Sequence, residues 1–307
     1  MTMLHESKLD CTVIIPAFEI DSKLLRSVNS ILRGSTQPKS IHVIHDGGGI
    51  DSNILFQLDH PSVKVDLNSH NLGVSARLNE GLNSCETRYI ARLDADDVAA
   101  PGRFENQINS MVKTGVDFSF GRAISIDLKG RRKFALGRPS LRGEFINPVI
   151  FLTGNPIVHP TTMMRTDWVR LIGGYPPFLS EDYGLWLRAG ASGAQGLHID
   201  QNFIYRSIHQ GQVSKKIPIL NSASQLVDDW QKLKAKFFPA SYIKDLRTLS
   251  QILSVNRLKS DLGWEAADSD FIHFLMDCHR LLKSNQKGQR KWISSQILAT
   301  CLQRLSA

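Results

Sequence analysis

Tyr89-Ile90-Ala91-Arg92-Leu93-Asp94-Ala95-Asp96-Asp97 is the stretch that decides the fold. Its first half is a short, mostly apolar run, which reads as a strand buried in a sheet. Its second half places three carboxylates where that strand ends. The same punctuation recurs on the N-terminal side. Cys11-Thr12-Val13-Ile14-Ile15-Pro16 is an apolar run rich in β-branched residues and reads as another buried strand. Residues 21–33 then set Leu24, Leu25, Val28, Ile31 and Leu32 on one face at helical spacing, with Gly34 able to end the helix. Ile41 to Ile44 and Val63 to Leu67 read as strands, and Val74 to Leu82 as a helix. Past the acidic run, Pro101 suits the first residue of a helix reaching about Lys113. This β-α-β-α alternation implies an α/β fold: a mostly parallel sheet flanked by helices. Ligands of such sheets bind at the carboxyl ends of the strands. Here those ends carry Ala17-Phe18-Glu19, Asp46, and Asp94 to Asp97.

Farther along, the pattern mixes. Strands are expected at 118–126, 158–164 and 196–205, and helices at 166–172 and 181–189. Beyond Pro218 four segments carry helical apolar stripes, at 219–238, 242–255, 269–282 and 292–305. A boundary at 211–218 divides the chain into 1–214, an α/β domain, and 215–307, a helical extension.

Composition narrows the class. At 307 residues, 42% hydrophobic and 21% charged, the chain is neither disordered nor fibrous. Its four cysteines, Cys11, Cys85, Cys278 and Cys301, form no Cys-x-x-Cys pair, which speaks against a zinc ribbon and for a reducing cytoplasm. The longest charge-free stretch, Phe145 to Met164, is broken by Pro148, Pro156 and Pro160, so no membrane span is expected. The net charge of +8 is placed unevenly. Residues 1–205 balance at 21 Lys/Arg against 21 Asp/Glu, whereas 206–307 hold 16 against 8. A basic tail on a neutral body points to an anionic partner or to solvated helix faces. Nucleic acid is not expected, because the tail carries no recognised binding motif or aromatic platform.

Each candidate group has a plain reading beside its chemical one. Alternating carboxylates at a strand end suit a hard cation that takes its other oxygens from phosphate, but solvated turns are also rich in Asp. Gly47-Gly48-Gly49 fits a tight turn and matches neither phosphate-loop pattern. Glu181-Asp182 opens a helix, as a cap or as a general base. His159 and His209 are single histidines, which more often serve structure than ligation. No Gly-x-Ser-x-Gly nucleophile motif occurs.

Taken in order, the pieces resemble a known family. Ile14-Ile15-Pro16-Ala17-Phe18, Asp46-Gly47, Asn71-x-Gly73-x-x-x-Arg77-x-Asn79-x-Gly81, Leu93 to Asp97, Glu181-Asp182-x-x-x-Trp186-x-Arg188 and Tyr205-Arg206-x-x-His209 together look like an inverting family 2 glycosyltransferase with a GT-A fold. The resemblance implies a nucleotide-sugar donor of UDP type and a glycan or lipid-linked glycan acceptor. It implies that Pro16, Ala17 and Glu19 line the nucleobase pocket, that Asp46 hydrogen-bonds the base, and that Arg77 supports the base or diphosphate. It further implies Asp94 near the ribose or sugar, Asp96 and His209 at a Mn²⁺ or Mg²⁺ ion, Lys215 on the diphosphate, and Asp182 as the general base. The series departs from the family where His45 stands in place of a second Asp. Two other classes compete: a non-catalytic nucleotide-sugar binder and a sugar nucleotidyltransferase. The basic tail, read with the glycosyltransferase, suits peripheral contact with an anionic membrane surface at the inner face of the cell membrane.

Overall fold

β1 (Leu9–Ala17) is paired on both sides in parallel, with β2 (Pro38–His45) and with β4 (Tyr89–Arg92). β3 (Val63–Asp66) adds to β2, also in parallel. β1, β2 and β4 are largely buried, and β1 and β2 are rich in β-branched residues, as strands covered on both faces require, whereas β3, at the edge, is half-buried. The order continues through β9 (Met163–Arg165), β6 (Phe118–Ile126), β10 (Gly196–Ser207) and β5 (Val98–Ala99). β9 is antiparallel to both β4 and β6, and β7 (Arg132–Leu136) pairs antiparallel with β6. The sheet is therefore mixed, with its parallel part where the sequence alternates strand and helix.

The computed structural model describes residues 8–34, 36–126, 132–136, 141, 143–178, 180–207, 219–238, 248, 252 and 269–306. The chain forms two units. The first is Met1–Gly137, Ile157–Pro177 and Ile199–Gln210; the second is Arg138–Pro156, Phe178–His198 and Gly211–Ala307.

In the first unit, helices alternate with the parallel strands. α1 (Ser22–Leu32) starts where the Asp21 carboxylate accepts the backbone N–H groups of Lys23 and Leu24, and it buries Leu24, Val28 and Ile31. α2 (Ser52–Gln57), which no periodicity announced, is capped in the same way by Asp51. α3 (Val74–Ser84) lies close on the sheet at Gly81. A Cβ there would come within 2.8 Å of Ile44 and 2.9 Å of Ile14. α4 (Arg103–Thr114) begins two residues after Pro101, which sits in the preceding turn. The strand expected at 158–164 is a 3-10 turn, His159–Thr161, followed by the short β9. Pro160 brings no N–H to a ladder, and the hydroxyls of Thr161 and Thr162 donate locally to the carbonyls of Val158 and His159. α5 (Thr166–Leu171) closes this segment, with Trp168 stacked on Phe118.

The second unit is built around the buried 3-10 turn Pro148–Thr153. Its orphan groups are met by side chains of the surrounding helices. Tyr183 on α6 (Glu181–Ser192) donates its hydroxyl to the Phe151 carbonyl. Trp230 on α7 (Ile219–Phe237) donates its indole N–H to Leu152. Trp292, on the terminal helix α9 (Lys287–Ser306), donates to the Thr153 hydroxyl. Arg188 and Asp229 join α6 to α7 at 2.9 Å. α8 (Ser269–Arg280) buries Phe271, Phe274 and Leu275. β8 (Phe145–Ile146) pairs with Leu197 and Gly196 at the start of β10. The helix expected at 242–255 lies outside the described residues except for Thr248 and Ile252, both helical and buried.

Candidate active site

The carboxyl ends of β1, β2 and β4 lie together at one edge of the first unit's sheet. Ala17 is in register with His45, the Asp46 N–H donates to the Ala17 carbonyl, and the Leu93 N–H donates to Ile14. Pro16 and Ala17 end β1 at this edge, and Glu19 follows on the exposed turn, 4.0 Å from Lys23.

Asp46 is 7% exposed and its carboxylate is engaged. Oδ1 accepts from the Leu72 N–H at 2.9 Å and from Arg77 Nε at 2.8 Å; Oδ2 accepts from the Gly73 N–H at 3.0 Å. Arg77 is fully committed as well, to Glu80 at 2.8 Å and to the His70 carbonyl at 2.6 Å. Together they pin the turn before α3 against the end of β2. Gly47 makes that approach possible. Its φ is +82°, and a Cβ would lie 2.7 Å from the His70 backbone. The departure at His45 is resolved structurally: the ring is buried, and its Nε2 faces the Gly48 carbonyl at 3.0 Å.

After β4 the chain turns and brings Asp94, Asp96 and Asp97 into one cluster, with carboxylate oxygens within 4.8 Å of one another. The turn is held by its backbone. Asp96 offers its carbonyl to Arg26 Nη2 at 3.0 Å and to the Ser207 hydroxyl at 2.7 Å, and Asp94 offers its carbonyl to the Ser27 hydroxyl at 3.1 Å. The Asp94 side chain is drawn to Arg92 Nη2 at 2.5 Å. Asp97 is only 1% exposed. Its Oδ1 accepts the Ser207 N–H at 3.2 Å, while its Oδ2 has no hydrogen-bond partner among the described residues. Burial, then the charges of Asp94 and Asp96, push the Asp97 carboxyl well above its ordinary range, against the smaller pull of Arg206.

Among the described residues the chemistry of this donor set fits a hard divalent cation: oxygen donors, three carboxylates converging, one buried oxygen without a partner. Asp94 and Asp96 of the expected set are thus brought together, and Asp97 joins them. His209 and Lys215 lie outside the described residues.

Asp182 belongs to the second unit, in the first turn of α6. The turn is set by Ser180, whose φ of 75° is the left-handed conformation that an L-residue adopts at a cost. Asp182 Oδ2 accepts from Asn155 Nδ2 at 2.8 Å, and Oδ1 accepts from the Tyr183 N–H at 2.7 Å. The side chain is half-buried and held in one orientation. His159 is buried in the first unit, with Nε2 3.1 Å from the Tyr175 hydroxyl. Desolvation, and then the charge of Arg92, hold its pKa well below the ordinary value. That is a structural histidine.

Sequence reasoning passed over Arg26, Arg92, Ser207 and Asn155. Arg92 stood in the deciding stretch beside Asp94; the other three come from distant parts of the chain and carry no local signal.

Residues 12–172 match the family model described as Glycosyl transferase family 2. Over 240 residues the chain is 26% identical to the Escherichia coli protein named UDP-Gal:alpha-D-GlcNAc-diphosphoundecaprenol beta-1,3-galactosyltransferase, covering 76% of this chain and 84% of that one. It is 38% identical over 120 residues to the amylovoran biosynthesis glycosyltransferase AmsE of Erwinia amylovora, 38% of this chain and 44% of the relative. Among solved structures, S. aureus TarS 1-349 in complex with UDP-GlcNAc aligns over 97% of this chain and 91% of its own, with a TM-score of 0.58 and 14% identity. That likeness establishes the GT-A architecture, followed here by C-terminal helices.

Proposed function

The chain belongs to glycosyl transferase family 2, and we propose that it moves a sugar from a UDP-sugar to a hydroxyl of a saccharide or lipid-linked saccharide in surface-glycan synthesis, inverting the anomeric centre. The observation that carries this reading is the gathering of Asp94, Asp96 and Asp97 at the end of β4, beside the ends of β1 and β2. Support for the donor comes from the E. coli relative, named for UDP-Gal, and from the TarS structure with UDP-GlcNAc. Support for the acceptor comes from the same E. coli name, which gives a GlcNAc-diphosphoundecaprenol, and from amylovoran biosynthesis.

In this reading residues 1–214 carry the donor machinery and the base, and 215–307 form the extension. Pro16, Ala17 and Glu19 border the nucleobase. Asp46 meets the base through the acceptor capacity left on Oδ2, which takes one hydrogen bond from the described residues. Arg77 holds the turn that frames the pocket. Asp96, with Asp94 and Asp97 beside it and His209 completing the set, would hold Mn²⁺ or Mg²⁺. A divalent cation there supplies positive charge opposite the departing diphosphate. Lys215 adds a further cation toward the same phosphates. Asp182 takes the proton of the acceptor hydroxyl, and Asn155 keeps the accepting oxygen aimed. A single displacement by that alcohol on the face opposite the leaving group gives inversion. The reaction runs in the cytoplasm, at the inner membrane face where a lipid-linked acceptor resides.

A thermal-shift series of nucleotide sugars, with and without Mn²⁺ or Mg²⁺, tests the reading. A UDP-sugar with a divalent cation should raise the Tm by more than the separate effects of sugar and ion. No shift with any nucleotide sugar under either cation overturns it. Donor binding without transfer or donor hydrolysis across a broad acceptor panel would instead favour a non-catalytic binder.

A further inference from the structure

The second unit holds a cavity of about 890 Å³ that the proposed chemistry leaves unused. Its walls come from the segment around β8 and from the start of α9. Lys283, Lys287 and Lys291 line it, together with the amide side chains of Asn285, Gln286 and Asn147 and the rings of Phe145 and Phe237. Lys287 and Lys291 are one helical turn apart, and all three lysines are exposed.

The electrostatics of this cavity are one-sided. Among the described residues that line it, Glu144 is the one acidic group, and it is already engaged. Glu144 Oε1 accepts from the Gly288 N–H at 2.7 Å, and Oε2 accepts from the N–H and the side-chain amide of Gln289, each at 3.3 Å. The start of α9 is thereby capped, so its free N–H groups are not what the cavity offers. None of the three ammonium groups forms an ion pair with a described residue. Three lysines without an acidic partner among the described residues thus line one concave space, which favours an anionic ligand over a neutral or cationic one. The space also has an apolar side. Phe145, 52% exposed, and Phe237 both line it.

We propose that this cavity is a binding site for a phosphate- or diphosphate-bearing headgroup, with the three lysines on the phosphate oxygens and Phe145 and Phe237 against the adjoining sugar or alkyl portion. Ammonium groups on flexible stems suit phosphate as point charges, and the amides supply further donors. Two sources present that chemistry: the diphosphate of a soluble or lipid-linked acceptor, and the headgroups of an anionic lipid layer. The proposal depends on the glycosyltransferase reading only in naming an acceptor as one of the two.

Amine-reactive labelling of the full chain, read by mass spectrometry at each lysine, tests this without any turnover, so an inactive protein would still report the site. Lys39 and Lys113, exposed in the first unit, serve as internal controls. The probes are inorganic pyrophosphate, vesicles of phosphatidylglycerol and phosphatidylcholine in equal parts, and vesicles of phosphatidylcholine alone. Labelling of Lys283, Lys287 and Lys291 should fall severalfold, with the controls unchanged. Protection by pyrophosphate but not by the anionic vesicles assigns the site to an acceptor diphosphate; protection by the anionic vesicles alone assigns it to the lipid layer. K283Q/K287Q/K291Q, which touches only exposed side chains, should keep the wild-type Tm and weaken binding of the protecting probe by about tenfold or more, read by direct partitioning with the vesicles or by equilibrium dialysis with pyrophosphate. Absence of protection by every probe, or equal protection of Lys39 and Lys113, overturns the proposal.

Discussion

Arg77 Nε lies 2.8 Å from Asp46 Oδ1, with both side chains almost wholly removed from water, and the pair braces the turn before α3 against the end of β2. A buried ion pair is weak evidence of net stability, yet removing one partner leaves a charge without compensation. Arg77→Met should therefore destabilise the protein by roughly 3–5 kcal/mol. Asp46→Asn/Arg77→Met should cost clearly less than the sum of the two single changes. Urea unfolding of the four proteins reads this coupling. Strict additivity would mean that the two groups do not act as a unit.

Asp97 gives the acidic corner its sharpest signature. Its carboxyl is buried and shares a small volume with Asp94 and Asp96, so in the absence of a cation its charge opposes folding. Asp97→Asn preserves an oxygen for the Ser207 N–H and removes that charge. The variant should be more stable than wild type when no divalent cation is present, by about 1 kcal/mol or more. It should also lose most of the Tm increase that Mn²⁺ or Mg²⁺ gives wild type. Differential scanning fluorimetry with a chelator and with each cation checks both halves. A variant that keeps the full cation shift excludes Asp97 from the cation site.

Asp182 and Asn155 allow base and positioning roles to be separated. Asp182→Asn should lower kcat by about 10²–10⁴-fold while leaving donor affinity unchanged. Asn155→Ala leaves the carboxylate present but frees it from the 2.8 Å bond to Oδ2. Its kcat should fall less, because the carboxylate stays in place and loses only the bond that fixes its orientation. Asn155→Gln or Asn155→Ser should recover part of the rate. A kcat equal to wild type in Asn155→Ala would mean that Asn155 serves packing alone.

The parallel half of the sheet was legible because its strands and helices differ in period and follow one another closely. The acidic corner was legible because three of its members share one short stretch, Asp94 to Asp97. What escaped came from separation and from inward hydrogen bonding. Arg26 and Ser207 hold the Asp96 carbonyl from 70 and 111 residues away, which no local pattern encodes. The sequence showed Asp97 as one acid among three; only the fold made it the buried one. Asp46 looked like a group facing a ligand, whereas three donors from Leu72, Gly73 and Arg77 also turn it toward its own chain. The segment at 158–164 looked extended by composition, but Pro160 and two threonine hydroxyls favour local bonds there.

His159 provides a test of the fold by pH. The ring is buried in the turn before β9, the Arg92 guanidinium contributes a like charge, and the neighbouring Tyr175 hydroxyl is a neutral partner. Each disfavours or fails to reward the imidazolium, so the folded pKa lies well below the ordinary value of 6.5. Unfolding returns the ring to water, where it takes up a proton below that value. The unfolded state then binds more protons than the native one, and stability must rise with pH across this window. The contribution is complete above pH 6.5 and is lost progressively as pH falls toward the folded pKa. One such group sets a limiting slope of about 1.4 kcal/mol per pH unit. Urea unfolding between these limits should show that slope in wild type and a smaller one in His159→Gln, whose amide keeps a bond to Tyr175 but does not titrate. If the two slopes coincide, protonation of another group governs acid unfolding.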